Sequence, residues 1–136
     1  MTALASTEAQ ERGVIINIQL DGDPLLIKGD ADLLKQALLN VIINGCQAMP
    51  EGGPLKVSTS RSQDGSARIT ITDRGVGIAE EDQERIFNLY YTTKKGGTGI
   101  GLAQAFRAVQ LHGGMIRFDS QVGVGTTFEI ILPGAV

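Results

Sequence analysis

The sequence predicts an α/β sandwich of two layers, with helices packed on one face of a mixed, mainly antiparallel sheet. Three observations carry this. The stretches "LKVSTSR" (55–61) and "ARITITD" (67–73) alternate apolar and polar residues about a Gln63-Asp64-Gly65 turn, and "GMIRFDS" (114–120) and "TTFEIIL" (126–132) make a second pair across "QVGVG". From Asp30 to Met49, and again from Thr98 to Leu111, the apolar spacing changes to the helical period. The chain of 136 residues shows no internal repeat and no linker, so it has room for one core only.

Taken in order, residues 1–12 have a weak helical pattern and no anchor; they read as an N-terminal extension or the end of an upstream helix, with 13–136 as the domain proper. "VIINIQL" (14–20) and "LLIKG" (25–29) are rich in branched residues and read as two short strands around "DGDP". The longest helix follows, with Asp30 or Asp32 as N-cap and Pro50 closing it. After the 55–73 hairpin comes the loop "RGVGI", a short helix over 80–88, and an exposed loop, "LYYTTKKGG", without any period. The Thr98–Leu111 helix and the last strand pair complete the chain.

Composition narrows the function classes. Apolar residues at 42% and charged residues at 20% are ordinary for a soluble globular protein, and no apolar run approaches the roughly 18 residues of a membrane span. The net charge is −3 and no basic stripe interleaved with aromatics is present, which argues against nucleic acid as partner. The single Cys46 cannot form an internal disulfide, and no basic segment followed by an apolar one opens the chain; the cytoplasm is the expected compartment, with no membrane contact by this domain. Glycine is in excess, with 18 residues, most of them gathered in short clusters that punctuate the pattern.

Three groups of residues could carry chemistry. On the long helix, Leu34, Leu38, Val41, Ile42, Gly45 and Met49 share an arc about 100° wide that faces the sheet, whereas Asn40, Asn44 and Gln47 line up on another side. A carboxamide stripe on a helix this apolar suits a polar ligand or a wet cavity; three amides on a solvated face is the plainer alternative. An Asn oxygen is also a hard, neutral ligand of the kind Mg²⁺ accepts. In "TDRGVGI" (72–78), Asp73 ends a strand, and Gly75 and Gly77 let backbone approach a ligand; the same Asp-x-Gly also occurs in ordinary turns. In "KKGGTGIGL" (94–102), Gly97, Gly99 and Gly101 alternate with Thr98 and Ile100 before a helix, which offers backbone N–H groups and the positive helix end to an anion. The spacing is neither that of a Walker A loop nor that of a dinucleotide fingerprint.

Together and in this order, these elements resemble the catalytic and ATP-binding domain of sensor histidine kinases, in its nitrogen-regulator-like subgroup, and so the Bergerat ATP-binding fold shared with DNA gyrase and a heat-shock chaperone. The likeness runs from about Gly13 to Pro133. "LLNVIINGCQAM" resembles the N box, "DRGVGI" the first glycine box, "IFNLYYTTK" the F box and ATP lid, "GGTGIGL" the second glycine box, and "GVGTTFEIILP" the closing segment. The resemblance implies ATP and Mg²⁺ as cofactors. It implies that Asn44 binds the Mg²⁺ bridging the ATP phosphates, with Asn40 supporting that site. Asp73 would meet the adenine amino group, Gly77 would shape the base pocket, and Thr126 would contribute on the adenine side. Gly97, Gly99 and Gly101 would hold the phosphates, Lys94 would reach the terminal one, and Phe87 would anchor the lid. Gln47, Gly75, Ile78, Thr98, Ile100 and Leu102 complete the implied nucleotide-binding set.

This sequence departs from the family pattern in two places: Asn88, Leu89, Tyr90 and Tyr91 stand where the F box usually carries a proline and two phenylalanines, and Gln47 stands where many members have a basic or aromatic residue. The only histidine, His112, lies at a helix C-terminus, where its ring can face the last carbonyls. The implied activity is therefore transfer of the ATP terminal phosphoryl group to a histidine on a dimerisation domain outside this chain, with a response regulator as indirect partner. Two alternatives are a serine kinase of the anti-sigma-factor type and a module that only senses ATP. The serine kinases usually keep a glutamate at the position of Asn40 and have a shorter lid, which counts against the first.

Overall fold

The computed structural model describes residues 13–19, 29–88 and 101–134. These form β1 (Val14–Gln19), α1 (Ala31–Gln47), β2 (Gly53–Arg61), β3 (Ala67–Asp73), the single turn α2 (Glu80–Gln83), α3 (Gly101–Leu111), β4 (Met115–Gln121) and β5 (Gly125–Leu132). The five strands make one sheet in the order β1-β2-β3-β5-β4. Only the β1–β2 pair is parallel; the other three are antiparallel. The two-layer sandwich with a mixed, mainly antiparallel sheet is thus the observed architecture.

Both expected hairpins form. In the first, Lys56 pairs with Thr72 and Arg61 with Ala67. Its turn is closed by Asp64, whose Oδ1 accepts from the Ser66 hydroxyl at 2.7 Å and the Ser66 N–H at 2.9 Å; these bonds hold the Asp64 carboxyl below its usual range. In the second, Gln121 pairs with Gly125 across a three-residue turn. The pairing that local sequence does not announce is β3 with β5, which sets Asp73 opposite Thr126. At the other edge, β1 has its partner in β2, in parallel, with α1 lying between them in the sequence; such a connection needs a crossover, and α1 provides it. The strand expected over 25–29 lies outside the described residues except for Gly29, as does the loop expected over 89–97.

Binary patterning explains the layers. Leu55, Val57, Ile71, Phe128, Ile130 and Ile116 point from the sheet into the core and are buried. The opposite sheet face is polar: Thr72 and Thr127 hydroxyls lie 3.2 Å apart, and Glu129 pairs with Arg117 and Arg68. Helices therefore cover one face only. On α1, Val41, Ile42 and Gly45 are buried as the arc requires, as is Met49 just beyond its C-cap, while Leu34 and Leu38 are half-buried against the same core. Burial also takes in Ala37, Leu39 and Cys46, because α3 packs beside α1 and encloses a second side of it through Ala105, Ala108 and Val109.

The helix begins where its cap allows. Asp30 is the N-cap, its Oδ1 accepting from the Leu33 N–H at 3.1 Å. The Asp30 N–H in turn donates to His112 Nε2 at 2.9 Å, and His112 Nδ1 lies 2.7 Å from the Ala108 carbonyl. One ring nitrogen must accept and the other donate, so the network assigns a neutral imidazole with its proton on Nδ1. This ring ties the start of α1 to the end of α3. Gly29 makes room for it, since a Cβ there would stand 2.1 Å from His112 Cδ2 and 2.4 Å from Nε2. Among the described residues, no helix is long and apolar enough to cross a membrane.

Gly29→Ala is expected to force the imidazole out of both hydrogen bonds and to destabilise the domain by about 1–3 kcal/mol in urea unfolding. In a His112→Ala background the same change should have little further effect, since its obstacle is gone. Equal effects in both backgrounds would refute the assignment.

Candidate functional site

The site grows from the end of α1. Its C-cap is Ala48, whose carbonyl has left the helical ladder and accepts instead from the Val76 N–H at 3.0 Å. This bond pulls the loop after β3 against the helix end. The approach is so close that a Cβ on Gly75 would stand 2.3 Å from the Ala48 carbonyl oxygen, which is why that position has none. Gly77 lies at φ 76° in the left-handed region, and a Cβ there would meet the Gln121 carbonyl at 2.3 Å. The same loop is latched to the β4–β5 turn by the Gly123 N–H, which donates to the Val76 carbonyl at 3.0 Å.

Asp73 sits where these elements converge, and it is only 3% exposed. Its Oδ1 accepts from the Gly75 N–H at 2.8 Å and from the Thr126 N–H at 3.2 Å. Two backbone donors from two different elements thereby fix the plane of the carboxylate. Its other oxygen is turned towards α1, where a Cβ on Gly45 would lie 3.8 Å from Oδ2. Thr126, 4% exposed, places its hydroxyl 2.7 Å from that of Ser120, and the Ser120 hydroxyl accepts from the Ile78 N–H at 2.8 Å. Gln83 caps the arrangement by donating Nε2 to the Ile78 carbonyl at 3.1 Å. A buried carboxylate beside a hydroxyl relay has the chemistry to accept hydrogen bonds from a ligand's donors.

A second group lies at the middle of α1. The half-buried Asn40 side chain packs on the first described turn of α3: a Cβ on Gly101 would lie 3.7 Å from Asn40 Cγ. Gln36 Nε2 donates to Asn40 Oδ1 at 3.1 Å, and Asn40 Nδ2 donates to Gln104 Oε1 at 3.4 Å. A groove of about 490 Å³ runs between α1 and α3 from these amides to Leu33 and Leu111. Asn44 and Gln47, also half-buried, continue the stripe along α1 from Asn40 towards the Asp73 end.

The structure therefore brings Asp73, Gly75, Gly77, Ile78 and Thr126 into one cluster and Asn40 and Gly101 into another, joined by the amide face of α1. Leu102 packs against the core. Phe87 stacks on Phe106 with ring centroids 5.0 Å apart and meets Phe118 and Phe128 edge-on, which makes it a clasp between the segment after α2 and the space under α3. Lys94, Gly97, Thr98, Gly99 and Ile100 lie outside the described residues. Sequence reasoning missed Ser120, Gln83, Gln36 and Gln104. Ser120 was findable only from the strand register that pairs it with Thr126; Gln36 sits one turn before Asn40, a spacing that was legible.

A profile described as "Histidine kinase-, DNA gyrase B-, and HSP90-like ATPase" matches residues 29–136. The chain belongs to this ATPase family. It is 40% identical over 130 residues to the signal transduction histidine-protein kinase AtoS of Escherichia coli (strain K12), covering 96% of this chain and 21% of that protein. It is 36% identical over 133 residues to sporulation kinase A of Bacillus subtilis (strain 168), covering 98% of this chain and 22% of that protein. The chain thus spans about a fifth of the length of these curated relatives. Among solved structures, the mycobacterial sensor histidine kinase MprB superposes with a TM-score of 0.83 at 30% identity, covering 96% of this chain and 89% of that one. Full-length ShkA in complex with AMPPNP gives 0.86, also at 30% identity, over 98% of this chain and 28% of that one.

In this ATPase domain, Gly75→Ala sets a side chain against the end of α1 and should destabilise it by about 1–3 kcal/mol in denaturant unfolding, the usual range for overpacking. Gly65→Ala is the informative control, because nothing lies within 4 Å of a Cβ at that turn position, so only its φ of 87° opposes the change.

Proposed function

We propose that this domain binds Mg-ATP in the cytoplasm and presents the terminal phosphoryl group to a histidine on a separate dimerisation domain of the same signalling protein. The observation that carries the reading is the buried Asp73 carboxylate, held by the Gly75 and Thr126 N–H groups beside a hydroxyl relay. A carboxylate so fixed can accept from the exocyclic amine of adenine, which supports a reading with the base at the C-terminal end of α1, beside β3 and β5. The phosphates then extend along the amide face towards Asn40 and the first described turn of α3. Lys94 and the glycines from Gly97 to Gly101 belong to the phosphate end of this reading, with Lys94 as a cation for the terminal phosphate.

The metal assignment rests on donor chemistry. Among the described residues, no group of three or more His, Cys, Asp and Glu side chains could hold a metal by itself. A metal here would share phosphate oxygens and few protein ligands, which fits Mg²⁺. Asn44, on the amide face one turn after Asn40, would supply a neutral oxygen. When bound, Mg²⁺ would neutralise phosphate charge.

Transfer needs a nucleophile from elsewhere. His112 is the only histidine in the chain, and both of its ring nitrogens are engaged, with Ala108 and Asp30. In the proposed reaction an acceptor imidazole nitrogen attacks the terminal phosphorus, the bond from that phosphorus to the bridging oxygen breaks, ADP leaves with the electron pair, and the imidazole proton passes to solvent. Hydrolysis would instead require a base to activate water, and Asn40 cannot take a proton. Positioning and charge neutralisation then carry most of the catalysis, and a response regulator would receive the phosphoryl group in a later step.

Mixing the domain with labelled ATP and a cognate dimerisation domain should yield phosphohistidine that is labile to acid and stable to base; label appearing only as free phosphate would defeat the transfer reading. Asp73→Asn should weaken ATP roughly 10- to 100-fold while leaving inorganic phosphate competition unchanged, since the altered group faces the base. Asn44→Ala should lower ATP affinity in Mg²⁺ and leave metal-free affinity as it was; an equal loss in chelator would remove Asn44 from the metal site.

A further inference from the structure

The amide chain Gln36, Asn40, Gln104 joins two helices, and its direction matters. Asn40 lies four residues after Gln36 on α1, so the two side chains share a face. Gln104 lies three residues into α3 from Gly101, and a helical side chain leans towards the N-terminus, which carries its amide over the turn on which Asn40 packs. The donors run in one sense: Gln36 Nε2 to Asn40 Oδ1 at 3.1 Å, then Asn40 Nδ2 to Gln104 Oε1 at 3.4 Å.

A carboxamide is two-ended, and rotation by 180° about its last torsion exchanges oxygen for NH₂ in nearly the same volume. Phosphate oxygens accept hydrogen bonds and require the NH₂ end, whereas a metal requires the oxygen. In the observed sense the oxygen of Asn40 is turned back along α1, and its NH₂ group faces α3. We infer that Gln104 is a positioning residue: by accepting from Asn40 Nδ2 it holds the Asn40 amide with its donor end towards the start of α3, where the second Nδ2 hydrogen serves a phosphate oxygen. Gln36 fixes the same orientation from the other side. This inference rests on the proposed placement of the phosphates beside Asn40 and the first described turn of α3. It gives the orientation of the Asn40 amide to a residue on the other helix.

The test compares ATP with adenosine, binding each to the 136-residue chain by isothermal titration calorimetry in Mg²⁺, for the unchanged protein, Gln104→Leu, Asn40→Ala and the double variant. Leucine keeps bulk and helix preference on this exposed position but cannot accept a hydrogen bond. Gln104→Leu should weaken ATP about three- to tenfold, the loss of one hydrogen bond, and change adenosine less than twofold. The double variant should bind ATP no more weakly than Asn40→Ala, because Gln104 acts through Asn40. The inference fails if Gln104→Leu leaves ATP unchanged while Asn40→Ala weakens it, if the two losses add, or if ATP and adenosine weaken together, which marks general damage to α3. Should Asn40→Ala itself leave ATP affinity intact, the placement of the phosphates falls first and the role of Gln104 with it.

Discussion

A carbonyl at the end of a helix must find a donor, and in this domain the donor for Ala48 comes from the loop that follows β3. Much else is arranged around that bond. It requires Gly75 to lie against the helix end without a side chain, and Gly75 in that position turns its own N–H onto Asp73. Asp73, so held, reaches across to the backbone of Thr126 and fixes the end of β5. Helix, loop and two strands are thereby locked together by a few backbone donors around the buried Asp73 carboxylate. Shielding from solvent makes each bond in the set matter more than it would at the surface.

The opposite end of α1 is fixed in a different way. There the joint is a side chain: the His112 ring bridges the Asp30 N–H and the Ala108 carbonyl. One helix is thus pinned at both termini, by backbone at its C-terminal end and by an imidazole at its N-terminal end, with the amide stripe spread between the pins. In the proposed reading, a helix so pinned presents Asn40 and Asn44 at fixed spacing to an extended ligand whose two ends have unlike chemistry.

How much of this was legible beforehand depended on distance along the chain. The β2–β3 and β4–β5 hairpins, the Asp30 cap and the amide stripe are local patterns, and each was readable from spacing. Asp73 and its glycines were readable as a turn that could meet a ligand. That Thr126 closes the same pocket came from resemblance, because nothing near Thr126 announces a partner 53 residues away. The parallel pairing of β1 with β2 was hidden for a similar reason: a crossover and a hairpin begin with the same strand pattern. Gln104 was invisible as a polar partner, since on α3 it reads as one more exposed position; its relation to Asn40 exists only after the two helices have packed. The buried faces of α1 were half legible, as the sheet-facing arc follows from periodicity and the α3-facing side does not.

The β3–β5 pairing has a consequence for the order of events during folding. The two hairpins can close early, over loops of a few residues, but Asp73 and Thr126 meet only after the intervening α2, α3 and β4 have been gathered in, at a greater entropy of closure. The pocket is therefore not a feature that a partly folded chain can possess. In the proposed reading, a nascent or damaged copy with both hairpins formed would still be unable to hold a base, so that nucleotide binding and completion of the sheet would be one event.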